Sequence, residues 1–359
     1  MNKPRVLMKD VAKEAGVHQT TVSLALRNHP SLPKSTRERI QKLANEMGYR
    51  PDPALSALVA YRQATKNQPS EQVIAWIINV KDPRRVSEQH VHRQLMEGAT
   101  KRAQELGYKL DVFWYGKEYK DSKSLNRVLK ARGIQGVIFG AFDHHDDEPF
   151  ELEWDLFSVV KINPLPRLLS FDCILCNQID AVRKALSEAS RLGLKRIGLA
   201  VSEFEEINKH FTFAAGFYTH RRLTDQQNWI EPHYFKHGPD YAEDVIPDAI
   251  EWAKANKLEV VMSNWNNMDI VAKAVTESGW DCRFIPLDAD DRTKIYGGIN
   301  QDHRESGRRA VDMAVGHIKT FRRGPESSPS TTLITPKLIP LPDTNPIAAE
   351  LGKEQLAET

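Results

Sequence analysis

Apolar residues recur in two different rhythms along this chain, one helical near the start and one alternating between strand and helix beyond it. Val11, Ala12 and Ala15 fall at helical spacing and predict a helix over residues 9–15, with Asp10 in its first turn, where a carboxylate suits the helix dipole. Gly16 then allows a tight turn through a positive φ. Val22, Ala25 and Leu26 predict a second helix over 19–27, which opens on polar Gln19, Thr20, Thr21 and Ser23. Past Pro33, the stripe Ile40, Leu43, Ala44 and Met47 predicts a third helix over 35–47, with Ser35 and Glu38 at capping-box spacing and Gly48 as its stop. Two short helices around a glycine turn, closed by a third, match the helix-turn-helix plan, although any small helical bundle shares the pattern.

From residue 73 the rhythm changes. The apolar run 73–80 predicts a strand buried on both faces, and helices over 94–106, 124–132, 179–192, 211–222, 242–255, 268–278 and 306–320 follow in turn. Strands are expected between them at 109–114, 136–139, 196–201, 233–235, 259–262 and 283–287. Such alternation predicts parallel sheets covered by helices on both faces, and the length is comfortable for two lobes.

Composition sharpens this division. The 359 residues are 40% hydrophobic and 27% charged, as in globular chains, with a net charge of only +2. Residues 1–66, however, hold 12 Lys or Arg against 5 Asp or Glu, so the remainder is mildly acidic. A small basic module that meets a polyanion, joined to a larger, mildly acidic domain, accounts for that asymmetry. A second helix that is apolar behind and polar at its start suits the major groove, where Gln can pair with adenine and Thr can meet bases or phosphates. No apolar run is long enough to span a membrane, and residues 1–10 lack the apolar core of a secretory signal, so a cytoplasmic location is expected. Cys173, Cys176 and Cys282 offer neither a disulfide framework nor a zinc set, and read as reduced packing residues.

The run Met8-Lys-Asp-Val-Ala-Lys-Glu-Ala-Gly-Val-His-Gln-Thr-Thr-Val-Ser23, with Thr36-Arg-Glu-Arg-Ile40 and Gly48-Tyr-Arg-Pro51, closely resembles the DNA-binding head of the lactose-repressor (LacI/GalR) family. The resemblance implies that Gln19 and Thr20 read bases, with Leu24 at a third base-reading position that is often Arg in the family, and that Thr21, Ser23 and Asn28 touch phosphate. It also implies a hinge helix over 51–64, where Leu58 aligns with the leucine that wedges between base steps and Leu55 replaces a usual Ala. Asp52 is a good N-cap for that helix and Pro53 a good first residue, but the segment is short enough to fold only with a partner.

The larger part resembles the type I periplasmic-binding-protein fold that serves as sensor in the same family, most clearly in Asn300-Gln-Asp-His-Arg-Glu-Ser-Gly-Arg-Arg-Ala-Val-Asp312. Effectors of such folds lie between the lobes, outside the strand C-termini. By this resemblance Asp288 accepts sugar hydroxyls, Gln301 lies near the cleft, and Trp265, Asn266 and Asn267 stand in for the usual Asn-Asp pair. Phe142 and Asp143 end a strand facing the crevice, and Phe213 takes the place of a common ligand-binding Arg. Each of these residues has an alternative as ordinary cleft packing.

The segment Asp143-His-His-Asp-Asp-Glu148 reads as a solvated loop in preference to a metal site, and no nucleophile elbow, Walker loop or His-Glu-x-x-His is present, so no catalytic residue, metal or cofactor is expected. The predicted organisation is an all-α helix-turn-helix head over 1–50, the hinge over 51–64 and a linker over 65–72. A two-lobed α/β effector-binding and dimerisation domain follows over 73–342, and a tail over 343–359. The expected partners are a near-palindromic double-stranded DNA operator, a neutral carbohydrate effector and a second copy of the chain, with no membrane. Two other classes stay open: a small-molecule-binding protein with nonspecific DNA affinity, and an α/β enzyme with an accessory helical domain.

Overall fold

The computed structural model describes residues 6–50, 72–79, 90–142, 150–164, 169–208, 210–224, 230–235, 242–264, 268–291 and 293–346. The expected hinge with Leu55 and Leu58, the loop from Asp143, and Trp265, Asn266 and Asn267 lie outside the described residues.

The head is three helices, α1 (Met8–Ala15), α2 (Gln19–Leu26) and α3 (Lys34–Glu46). Gly16 takes φ 66°, and the Val17 N–H reaches back to Ala12 O at 3.0 Å, which closes the turn before α2. Val11, Ala12, Ala15, Val22, Ala25, Ile40 and Ala44 form the buried core, with Leu26, Leu43 and Met47 packed at its edge, as the helical stripes require. The expected capping box does not form. Pro33, with φ −55°, starts α3 one residue early and no side chain caps it, so Ser35 lies inside the first turn. Glu38 pairs instead with Lys34, at 3.9 Å.

The first lobe is a six-stranded parallel sheet. Along the chain it contains β1 (Gln72–Asn79), α4 (His90–Glu105), β2 (Tyr108–Trp114), α5 (Ser122–Ala131), β3 (Gly136–Phe142), β4 (Ser158–Ile162) and β5 (Cys173–Cys176). The second lobe follows with α6 (Gln178–Arg191), β6 (Ile197–Ser202), α7 (Glu203–Asn208), α8 (Thr212–Thr224), β7 (His233–Phe235), α9 (Ala242–Ala255), β8 (Val260–Ser263), α10 (Met268–Ser278) and β9 (Arg283–Pro286). The chain then runs through β10 (Gly298–Asn300), α11 (His303–Thr320), β11 (Thr331–Ile334) and β12 (Lys337–Ile339). Strand order is β11-β5-β4-β3-β1-β2 in the first sheet and β7-β6-β8-β9 in the second, all parallel, while β10 and β12 form an antiparallel pair.

β1 carries the two-sided burial that its unbroken apolar run predicts. Ile74, Trp76 and Ile78 pack under α4 and α11, whereas Ala75 and Ile77 face the opposite cluster with Leu125, Leu129 and Phe139. The second sheet repeats the arrangement, with α6 and α8 on one face and α9 and α10 on the other. Among the described residues the chain passes between the lobes at Asn177, at Gln301 and Asp302, and at Thr335 and Pro336.

β4 and β5 were not foreseen. β4 contains Lys161, a charge in the middle of a fully buried strand, whose ammonium donates to Leu169 O at 2.7 Å and Pro164 O at 3.1 Å. β5 is only four residues long. The three cysteines are free and buried, as expected; burial pushes the Cys173 thiol up to about 11 and that of Cys282 up to about 12. Among the described residues no helix is long and apolar enough to cross a membrane.

Candidate functional site

Two surfaces carry the predicted residues. On the head, Gln19 and Thr20 stand exposed at the opening of α2, and Thr21, Ser23 and Leu24 are half-buried one turn further on. His18 is the N-cap: its Nδ1 lies 2.7 Å from Thr20 Oγ1 and accepts from the Thr20 N–H at 3.4 Å. The Thr20 hydroxyl proton is thereby engaged at the cap, which leaves its oxygen as an acceptor and its methyl for apolar contact. Gln19 keeps a full amide at the leading edge.

The phosphate-facing candidates are held by cations absent from the expectation. Arg27 donates to the Ser23 hydroxyl at 2.9 Å and to Ser23 O at 3.2 Å, so a guanidinium stands beside that serine. Asn28 sits at φ 62°, in the left-handed region that Asn tolerates, and its carbonyl accepts from Arg37 at 2.7 Å. The excess of Lys and Arg hinted at such a role, but which arginines serve it depends on how α3 packs against α2. Arginine contacts to phosphate position a protein on DNA, while base contacts specify the site.

The second surface lies where the lobes meet. Asp288 follows β9, and both of its oxygens face imidazoles: Oδ1 is 2.8 Å from His303 Nε2 and Oδ2 is 3.4 Å from His90 Nε2. Burial by itself would raise the pKa of this carboxyl, but the neighbouring His303 and His90 more than offset it and hold the group well below the usual carboxylate range. Asp288 thus faces two protein partners, where the expectation gave it to sugar hydroxyls. Gln301 is buried nearby and donates to Leu287 O at 2.9 Å, which orients the backbone just before Asp288.

Phe213 is corrected. Its side chain is 0% exposed and packs with Val182, Ala185 and Phe217 in the core between α6, α8 and the sheet, so it does not line the cleft. Only its backbone is polar, donating to Glu206 Oε1 at 3.3 Å, while Ala214 N–H donates to Oε2 at 2.9 Å. The buried Glu206 therefore caps α8 near the place where the resemblance implied a cation, and a carboxylate there disfavours an anionic ligand. Phe142 is the last residue of β3. His90 and His303 were missed; His303 stood inside the quoted 300–312 segment, whereas nothing local marks His90.

Residues 7–52 match the model of the bacterial regulatory proteins, lacI family. The chain is 26% identical over 202 residues to the HTH-type transcriptional regulator PtxS of Pseudomonas putida, covering 56% of the chain and 55% of that protein. It is 24% identical over 231 residues to the HTH-type transcriptional repressor CytR of Escherichia coli, covering 64% and 63%. The chain thus spans about half to two-thirds of the length of these relatives. Its fold is similar to that of the transcriptional regulator CelR in complex with cellobiose (TM-score 0.59, 17% identity, 93% of this chain and 98% of that one). It is also similar to the Lac repressor dimer bound to operator and the anti-inducer ONPF (TM-score 0.55, 18% identity, with the same shares covered). A helix-turn-helix head followed by two periplasmic-binding-protein-like lobes is therefore the architecture of this chain.

Proposed function

We propose that the protein is a sequence-specific DNA-binding transcriptional regulator whose affinity for DNA is controlled by a small molecule bound between its lobes. The observation that carries this reading is the exposed polar opening of α2, with Gln19 and Thr20 projecting from a three-helix core that matches a regulator head. Gln19 and Thr20 read base edges, Leu24 makes apolar contact, and Thr21, Ser23 and Asn28, helped by Arg27, meet phosphate. Leu24 cannot form a bidentate guanine contact, so the operator differs at that position from one read by Arg.

Two copies of the chain would place two heads on a near-palindromic operator, with Leu55 and Leu58 of the hinge in the minor groove. Support for such pairing comes from the Lac repressor, whose structure is that of a dimer on operator. The effector is proposed to be a neutral carbohydrate contacted by Phe142, Asp143, Trp265, Asn266, Asn267 and Gln301, a reading supported by the cellobiose complex of CelR. Asp288 joins these contacts where an effector displaces an imidazole. Effector binding would change lobe closure and bias the paired hinges, so ligand and DNA affinities are coupled reciprocally. Turnover has no place in this scheme: the chain binds and releases its ligand unchanged.

The test is operator selection from a random DNA pool, followed by the same selection with Gln19→Ala. The expected result is one near-palindromic site for the wild type and relaxed preference at one base pair per half-site for the variant, with about 1–3 kcal/mol of discrimination lost there. Equal weakening on all sequences would assign Gln19 to nonspecific affinity and overturn the base-reading role.

A further inference from the structure

His90, Asp288 and His303 offer a chemistry that the regulator reading does not use. Each supplies one potential ligand atom, and among the described residues these atoms lie within 4.8 Å of one another. His90 and Asp288 are buried, and the His303 side chain is 11% exposed. The two rings meet edge to face, with centroids 5.7 Å apart and planes at 64°.

The donors suit one class of ion. Two imidazoles and a carboxylate match zinc and its neighbours cobalt and nickel, whereas calcium and magnesium take a larger set of oxygen ligands. With metal–ligand bonds of about 2.0–2.1 Å, neighbouring ligand atoms around a tetrahedral ion stand roughly 3.3 Å apart. His303 stands 2.8 Å from one Asp288 oxygen and His90 3.4 Å from the other, and one ligand atom from each residue lies within 4.8 Å of the rest, so side-chain adjustment brings all three onto one ion.

The backbone holds these donors in place. α4 and α11 cross at Gly98 and Gly307, where an added Cβ would stand 1.9 Å from Arg304 O or 2.1 Å from Leu95 O. So close a crossing brings together the first residues of both helices, which are His90 and His303. Asp288 arrives from the second lobe, two residues after β9, on a backbone steadied by Gln301.

We propose that His90, Asp288 and His303 form a binding site for a divalent transition-metal ion of the zinc class, which ties the first lobe to the second. The Nε2 atoms of His90 and His303 and one Asp288 oxygen are the ligands. Three protein ligands leave one position of a tetrahedral ion for water or, on the effector reading above, for an effector oxygen. The ion binds fully only when the three segments converge, so it stabilises the closed lobes and the fold with them.

The experiment takes the untagged full-length chain, strips it with chelator and titrates it with Zn2+ and, separately, Co2+. One equivalent of zinc per chain, a higher melting temperature in zinc than in chelator, and the intense visible bands of four- or five-coordinate cobalt are expected. His303→Gln and His90→Gln should each abolish the bound equivalent, with circular dichroism in chelator checking that they fold. Replacing the loop histidines together, His144→Gln with His145→Gln, should leave the stoichiometry at one. Zinc well below one equivalent, zinc retained by both cleft variants, zinc lost only in the loop variant, or the pale spectrum of octahedral cobalt would each overturn the site. The wild-type cobalt spectrum decides without any variant, and none of these readouts uses DNA or effector, so failure here leaves the regulator reading intact.

Discussion

The opening of α2 and the junction of the lobes both gather polar side chains, yet they use them in opposite ways. On α2 the groups are exposed, and the bonds that steady them are local: His18 to Thr20, Arg27 to Ser23. At the junction, Asp288, His90 and His303 are turned onto one another, and each comes from a different stretch of chain. A surface proposed to meet DNA keeps its hydrogen-bonding groups exposed, with water as their partner until a base replaces it. A buried group has no such reserve, since burial without a partner costs about 1–3 kcal/mol or more. Losses should therefore be large and global at the junction, small and local on α2.

The largest expected effect is that of Asp288→Ala, which leaves two imidazoles facing each other without their carboxylate. About 3 kcal/mol or more of stability should be lost, read by urea denaturation in chelator. A loss below 1 kcal/mol would mean that the junction is solvated like the head, and would break the contrast. Gly98→Ala comes next. Its Cβ would meet the Arg304 carbonyl, a backbone atom that cannot swing aside, and the expected loss is about 1–3 kcal/mol with weakened zinc binding.

On the head, His18→Ala removes the side-chain cap of α2 and should lower stability by about 0.5–1 kcal/mol. Operator affinity should fall through a misplaced Thr20, and restoration by His18→Ser would assign the effect to capping. The smallest effect is a pH slope. Burial, helped by Arg322, lowers the pKa of His317, so the folded state keeps it neutral where the unfolded chain begins to take up a proton. Stability from this group is complete above the ordinary histidine value of 6.5 and declines as pH falls through it. His317→Gln should flatten the melting-temperature curve below that pH; an unchanged slope would assign acid sensitivity to other groups.

The head was legible almost to the residue. Val11, Val22, Ile40 and their neighbours are buried as their spacing implied, because a helix places its side chains by a rule that spans four residues. β1 was legible for a similar reason, its unbroken apolar run standing for burial on both faces. β4 was not, since Lys161 interrupts the run and its ammonium finds carbonyls beyond the strand's end. Phe213 was misjudged in the same way: its position three residues before Gly216 is local information, but whether α8 turns it to the cleft or to the core is decided by packing against α6.

The periodicity, charge division and motifs of the chain thus determined its head, its alternating lobes and the residues proposed to face DNA, since each depends on neighbours along the chain. Tertiary structure alone decided that Glu206 caps α8, that Phe213 is core, and that His90 and His303 close on Asp288. The first two follow from helix packing. The third follows from the close crossing of α4 and α11 at Gly98 and Gly307, a contact between residues far apart in sequence that no local pattern encodes.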